Sequence, residues 1–462
     1  MLTEGHSYDL VTGPVGAVGR AERRAITLPF INAHPITDVC AAIMLLPVWW
    51  VLGVEQFIWP LLFGWTALRL AISRHYRLVL VPPVRWLLAF IVAQIISGLF
   101  IVESYRLLTF IRNLGSYVAV ALAIIVITNA NADERQLKRV INSLLLIMVG
   151  VGAISLLALL GVWQPEFRSL VGAVMPKSIA STDYGGHIAY RNLGQPSWFA
   201  GIIYYRLSGM FLYATMYASA LAMVIPIAYF AHGTAKSLVK KFALAVVIVL
   251  LLINMLGTTG RVATLSMIAG AGAYVILASR ARRIARMGAF MIMTLAVSLM
   301  LVSPIELASG GDIVDQVLYA RGGGSVEHRT AVYQATLSGW LGSPLFGWGT
   351  ERDVADIPYP AGSHSFYLGV LYKHGLVGFL IFLGMWWSMW RHTAPIGVGM
   401  QRNIRLEWSL GYLRITRWVL CAALINSATD VLDLDATTIL TLGLILGTAI
   451  AARRNCVEYA TL

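Results

Sequence analysis

Apolar stretches of roughly 17 to 25 residues, each long enough to cross about 30 Å of hydrocarbon as a helix, recur almost throughout the chain between polar turns. They predict helices at 37–53, 56–73, 86–102, 107–129, 140–162, 210–230, 242–257, 262–279, 287–302, 376–390, 416–429 and 437–452. Two longer segments, 161–209 and 304–375, break this rhythm. Both are rich in Trp, Tyr, Phe and Gly rather than in charge, which predicts short helices and turns packed on the membrane face and not disorder. No internal repeat is evident, which counts against a repeat-built transporter.

Composition supports the pattern. At 58% hydrophobic and 12% charged residues over 462 positions, the chain is too apolar for a water-soluble globular protein. The net charge of +13 would suggest nucleic acid in a soluble protein, but here the basic residues are sorted by side. One set of turns and both ends carry 21 of them: Arg20, Arg23 and Arg24; Arg74, Arg77 and Arg85; Arg135, Lys138 and Arg139; Lys236, Lys240 and Lys241; Arg280, Arg282, Arg283 and Arg286; Arg391, Arg402 and Arg405; Arg453 and Arg454. The short turns on the other side hold only Arg106 and Arg261, and the last of those turns carries Asp430, Asp433 and Asp435. The positive-inside rule then predicts an all-α polytopic membrane protein of about twelve spans. Residues 1–36 and 453–462 lie in the cytoplasm, and 161–209 and 304–375 lie outside. The first 36 residues contain no apolar h-region, so the first membrane helix is expected to act as an uncleaved anchor. Cys40, Cys421 and Cys456 form no spaced set for a disulfide framework or metal site.

The long outer segments hold eight cations against this bias: Arg168, Lys177, Arg191, Arg206, Arg321, Arg329, Arg352 and Lys373. An anionic ligand such as a phosphate or diphosphate would account for them, since guanidinium groups grip phosphate through paired hydrogen bonds. Contact with lipid headgroups or structural ion pairs is the alternative. Arg206 and Arg261 stand out because each sits where a membrane helix meets the outer face, Arg206 in YYRLSGMF and Arg261 in GTTGRVATL. The unpaired amides at a helix start would add positive potential beside Arg261. Arg112 is expected roughly 9 Å inside its span, lining the same cavity or snorkelling. His364, in GSHSFYLGVLYKHGLVGF, is the best candidate for a catalytic base, because a neutral imidazole accepts a proton near pH 7. A helix cap or headgroup contact is its competing reading.

Three stretches, in order, resemble motifs of the O-antigen ligase and polymerase superfamily: R-x-S-G-x-F at Arg206 to Phe211, T-x-G-R at Thr258 to Arg261, and a histidine motif carried by His364, Tyr367, Leu368, Leu371, Gly375, Leu376 and Gly378. Between them, Arg329, Pro344, Leu345, Gly347 and Gly349 resemble the family's R-x-x-x-W and P-L-x-G-x-G. The resemblance covers 206–378. Ser365 stands where Asn is common and Lys373 where many ligases carry Glu; a lysine there is found in the polysaccharide polymerase branch.

The resemblance implies a GT-C-like glycosyltransferase of the bacterial inner membrane with its site facing the periplasm. The donor would be an undecaprenyl-diphosphate-linked glycan and the acceptor a hydroxyl of a growing glycan, of lipid A core, or of a protein. It implies diphosphate binding by Arg206 and Arg261 and acceptor activation by His364, with inversion at the anomeric carbon and no metal or cofactor. Arg329, Arg112 and Lys373 are further candidates for acceptor or phosphate contacts. Lys373 favours the polymerase, with membrane lipids, a flippase and a chain-length regulator as expected partners. The rival from another class is a twelve-helix secondary transporter, against which the near absence of ionisable residues from the spans argues.

Overall fold

A computed structural model describes residues 34–73, 78–199, 202–277, 324–354, 357, 359–395 and 407–461. These residues are mostly helical. Six helices are long and apolar enough to cross a membrane: Arg106–Asn129, Glu134–Leu159, Ala214–Thr234, Leu238–Gly257, Phe366–His392 and Ala436–Tyr459. Pro35–Met44 and Leu46–Leu52 make a further pair bent by 51°, and Ile58–Ile72, Pro82–Gly98 and Arg261–Ile276 are shorter apolar helices. The chain is a multi-pass membrane protein. The span expected at 287–302 lies outside the described residues, and the one at 416–429 falls at the end of a helix, Glu407–Asn426, whose first half is more polar.

The last helix is the hub. Its apolar window is 94% buried, against 17% for Leu238–Gly257, which therefore lies at the edge of the bundle. Glycine lets the hub helix approach Ser104–Asn129 closely: a Cβ at Gly443 would stand 2.9 Å from Val120 Cγ1, and one at Gly447 3.3 Å from Ile124 Cα. Between other helices, single polar groups bridge to backbone, as expected where no water competes. Asn254 Nδ2 donates to the Gly152 carbonyl at 3.0 Å, Trp418 Nε1 to Met267 at 2.8 Å, and Tyr412 Oη to Ile445 at 3.1 Å.

The first long segment, 161–209, contains short helices at Leu170–Val174, Lys177–Ala180 and Asp183–Ala189, but also antiparallel strand pairs that the helical reading lacked. Phe167–Arg168 pairs with Tyr190–Arg191, and Gly194–Phe199 forms a hairpin with Ile202–Leu207. Arg206 therefore sits on a strand opposite Gln195, and the next membrane helix starts later, at Ala214. The physical reason is local: β-branched and aromatic residues fill Ile202 to Tyr205, which suits a strand.

The described part of the second long segment is built onto a broken helix. Gly375 has φ +63° and ψ −170° inside Phe366–His392, so the helix ladder fails there. The freed backbone groups find partners in the 344–349 loop. Tyr372 and Lys373 carbonyls accept from the Trp348 and Gly349 amides at 3.1 and 2.8 Å, and the Leu376 and Val377 amides donate to Pro344 and Leu345 at 2.8 and 3.2 Å. Gly347 and Gly349, at φ +70° and +76°, make the turn. The glycines and proline of this motif thus act as a backbone socket that fixes the outer arm of the helix, beginning at Phe366, two residues beyond His364.

Candidate functional site

His364 is held by its backbone on both sides. It adopts φ +62°, the left-handed region, which costs a non-glycine residue about 1–3 kcal/mol and persists only where the surroundings impose it. They do so here. The Gly362 amide donates to Thr336 Oγ1 at 2.8 Å, Tyr333 Oη donates to the His364 carbonyl at 3.0 Å, and the Phe366 amide donates to the Ser427 carbonyl at 2.9 Å. Ser365 caps the helix that follows. The imidazole meets the Tyr359 ring edge-on at 4.5 Å, and its Nε2 is buried without a hydrogen-bond partner. Burial and the neighbouring Arg329 push its pKa down to about 4, so the ring is neutral at pH 7.

Arg329 comes from the helix Gly324–Trp340 and acts electrostatically on His364, Tyr333 and Asp430. Asp430, on the turn after Glu407–Asn426, links this group to the first outer segment. Its burial raises the carboxyl to about 6 against the pull of Arg329 and then of Arg206. Arg206 in turn donates from Nε to the Thr258 carbonyl at 2.7 Å. Thr258 is fixed by its own hydroxyl, which donates to Met255 and accepts from the Gly260 amide, and Thr259 takes φ +51° so that a new helix starts at Arg261. Arg329 and Arg206 thus act on one carboxylate, with His364 linked to it through Arg329 and the turn before Arg261 through Arg206. Such a group can accept a proton at Nε2 and hold an anion on several guanidinium groups.

Asp430 is the member that sequence reasoning passed over. It counted there only as part of an acidic turn; the available signal was an acid at an outer helix end in a chain whose outer segments are rich in arginine.

Arg112 and Lys373 belong to a second, buried cluster. Arg112 is 5% exposed, stacks over Tyr184 at 4.2 Å and donates from Nε and Nη2 to Asn113 Oδ1 at 3.0 and 2.6 Å, so it faces protein and does not snorkel. Lys373 is 1% exposed and pairs with Glu351 at 3.1 Å and Asp433 at 3.4 Å, while Asp433 also accepts from Tyr117 at 3.0 Å. Two more outer cations have protein partners: Arg191 pairs with Glu55 at 2.7 Å, and Arg352 stacks on Trp348 at 3.9 Å beside Glu103. Among the described residues, no group of three or more His, Cys, Asp or Glu side chains is placed to hold a metal ion.

Residues 246–383 match the O-antigen ligase family. This supports the O-antigen ligase and polymerase superfamily for the chain, and with it a glycosyltransferase-type enzyme acting on lipid-linked glycans. The matched stretch includes Arg261, Arg329, His364 and Lys373; Arg206 and Asp430 lie outside it. A comparison with curated proteins finds no match.

Proposed function

We propose that the protein transfers a glycan from undecaprenyl diphosphate to an acceptor hydroxyl at the periplasmic face, with His364 as general base and Arg206 and Arg261 as the diphosphate grip. One observation carries the reading: a buried, neutral imidazole with an unpartnered Nε2 lies beside Arg329 and, through Asp430, beside Arg206. In the proposed step the acceptor oxygen attacks the anomeric carbon and its proton passes to His364 Nε2. The bond from that carbon to the diphosphate breaks with its electron pair, inverting the centre, and undecaprenyl diphosphate leaves. Negative charge grows on the bridging phosphate oxygen, so fixed guanidinium groups stabilise the transition state more than the ground state. A pKa of about 4 makes the free imidazole a weak base. A bound diphosphate offsets the positive charge of Arg329 and raises the basicity of His364 when the donor is in place.

Among acceptors, a growing polysaccharide chain is favoured, because Lys373 stands where the polymerase branch of the superfamily carries lysine. Lys373 would act on acceptor choice through the frame it builds with Glu351 and Asp433 rather than by direct contact. Reconstitution with a lipid-diphosphate-linked repeat unit tests this. A ladder of lengthening products supports polymerisation, whereas a single addition to lipid A core supports the ligase.

A further inference from the structure

We propose that the end of the bundle farthest from His364 binds a phosphate of an anionic phospholipid, gripped by Arg417 and Arg453 against the face of Trp390. From Leu376, beyond the Gly375 break, to His392 is 17 residues, so at 1.5 Å per residue the far end lies roughly 25 Å from the break. His364 precedes the break, and Trp390 is near the far end. There the Arg417 guanidinium lies 3.7 Å over the Trp390 ring, with the residue only 9% exposed and its Nε buried without a partner.

Among the described residues, no carboxylate acts on Arg417. The groups that act on it are Cys421, on its own helix, and Arg453, on the hub helix. Arg453 donates from Nε to the Ala394 carbonyl at 3.2 Å and has no ion pair among the described residues. Glu458, the acid nearest to it in sequence, is engaged by Arg454 at 2.8 Å. Two guanidinium groups thus repel each other at a site where burial makes an uncompensated charge costly. An anion from outside the protein would turn that repulsion into attraction.

Phosphate chemistry fits the donors, since guanidinium forks bind its oxygens in pairs. The setting favours a lipid as its source: Trp390 is the kind of amphipathic ring that sits at the headgroup level, and Arg391 and Arg454 add positive charge at this end. Basic pockets between membrane helices are known receptors for anionic headgroups. The three helices that meet here, Phe366–His392, Glu407–Asn426 and Ala436–Thr461, also carry or flank His364, Asp430 and the Leu432–Leu434 turn at their other ends. Lipid at this site would therefore clamp the elements that shape the outer site. The inference stands independently of the glycan-transfer reading.

The test is native mass spectrometry of the full-length protein, delipidated in neutral detergent and titrated with cardiolipin, phosphatidylglycerol, phosphatidylcholine or inorganic phosphate. The wild type is expected to retain the anionic phospholipids in preference to phosphatidylcholine, and Arg417→Gln and Arg453→Gln each to lose at least about tenfold in that preference. Arg453→Gln keeps the test decisive if Arg417→Gln fails to fold, because Arg453 is only half-buried. Undiminished preference in the folded variants would overturn the proposal. Equal binding of inorganic phosphate, competing with the lipids, would overturn the lipid as its source.

Discussion

Arg206 donates from Nε to the Thr258 carbonyl at 2.7 Å, so a strand of the first outer segment holds the turn from which the Arg261 helix starts. The same guanidinium acts electrostatically on Asp430 and, in the proposed function, on the diphosphate. A lysine cannot serve both roles, because its ammonium is a point charge without the planar fork. Arg206→Lys is therefore expected to lose about 10 to 100-fold in transfer, the equivalent of one charged hydrogen bond. Steady-state assays on protein of wild-type melting temperature check this; a loss below threefold would remove Arg206 from the grip.

His364 and Asp430 should give opposite pH dependences of stability. The folded His364 titrates near 4 against 6.5 when unfolded, so the unfolded chain alone takes up its proton as pH falls from 6.5 towards 4. That lowers stability in acid. Asp430 titrates near 6 when folded against 3.8 unfolded, so the folded state holds the extra proton between those values and gains stability as pH falls. Melting curves at pH 4.5 and 7 should thus show His364→Gln less acid-sensitive than wild type and Asp430→Asn more so. Parallel shifts at both pH values would mean that neither residue is perturbed in this way.

Lys373 should matter for folding more than for chemistry. Removing its ammonium leaves Glu351 and Asp433 as carboxylates without their cation, a loss of about 3–5 kcal/mol for a broken buried pair. Lys373→Met is expected to lower the melting temperature sharply and to leave the folded fraction with measurable turnover. His364→Gln is expected to do the reverse. A stable but inactive Lys373→Met variant would move Lys373 into the reacting site.

Gly375→Ala tests the socket. A Cβ there would run into the Leu345 carbonyl, and the residue would keep a positive φ that alanine rarely adopts. The variant is expected to insert poorly or to melt early, with the 344–349 loop released; limited proteolysis would report that release. Wild-type resistance to protease would show that the loop does not depend on the break.

What was legible in the sequence was what long runs encode. Glu134–Leu159 announces itself by apolar length, and the arginines of 161–209 and 304–375 stood out against the charge bias. Pairings across distance were not legible. Lys373 and Asp433 meet over 60 positions of chain, and Arg106, expected only as an isolated outer cation, proves to staple the second outer segment through the Thr350 hydroxyl and the Trp348 and Thr350 carbonyls. The hairpin at Arg206 was hidden because the nearby helix start dominated the pattern. Asp430 was hidden because its role depends on Arg206 and Arg329, each more than 90 residues away.

The central claim is that His364 Nε2 takes the acceptor proton. Purified protein in liposomes, supplied with a lipid-diphosphate-linked repeat unit, tests it most directly by comparing wild type with His364→Gln at equal folded concentration. The account predicts product for the wild type and none for the variant, with donor binding retained. Full product formation by His364→Gln would contradict it.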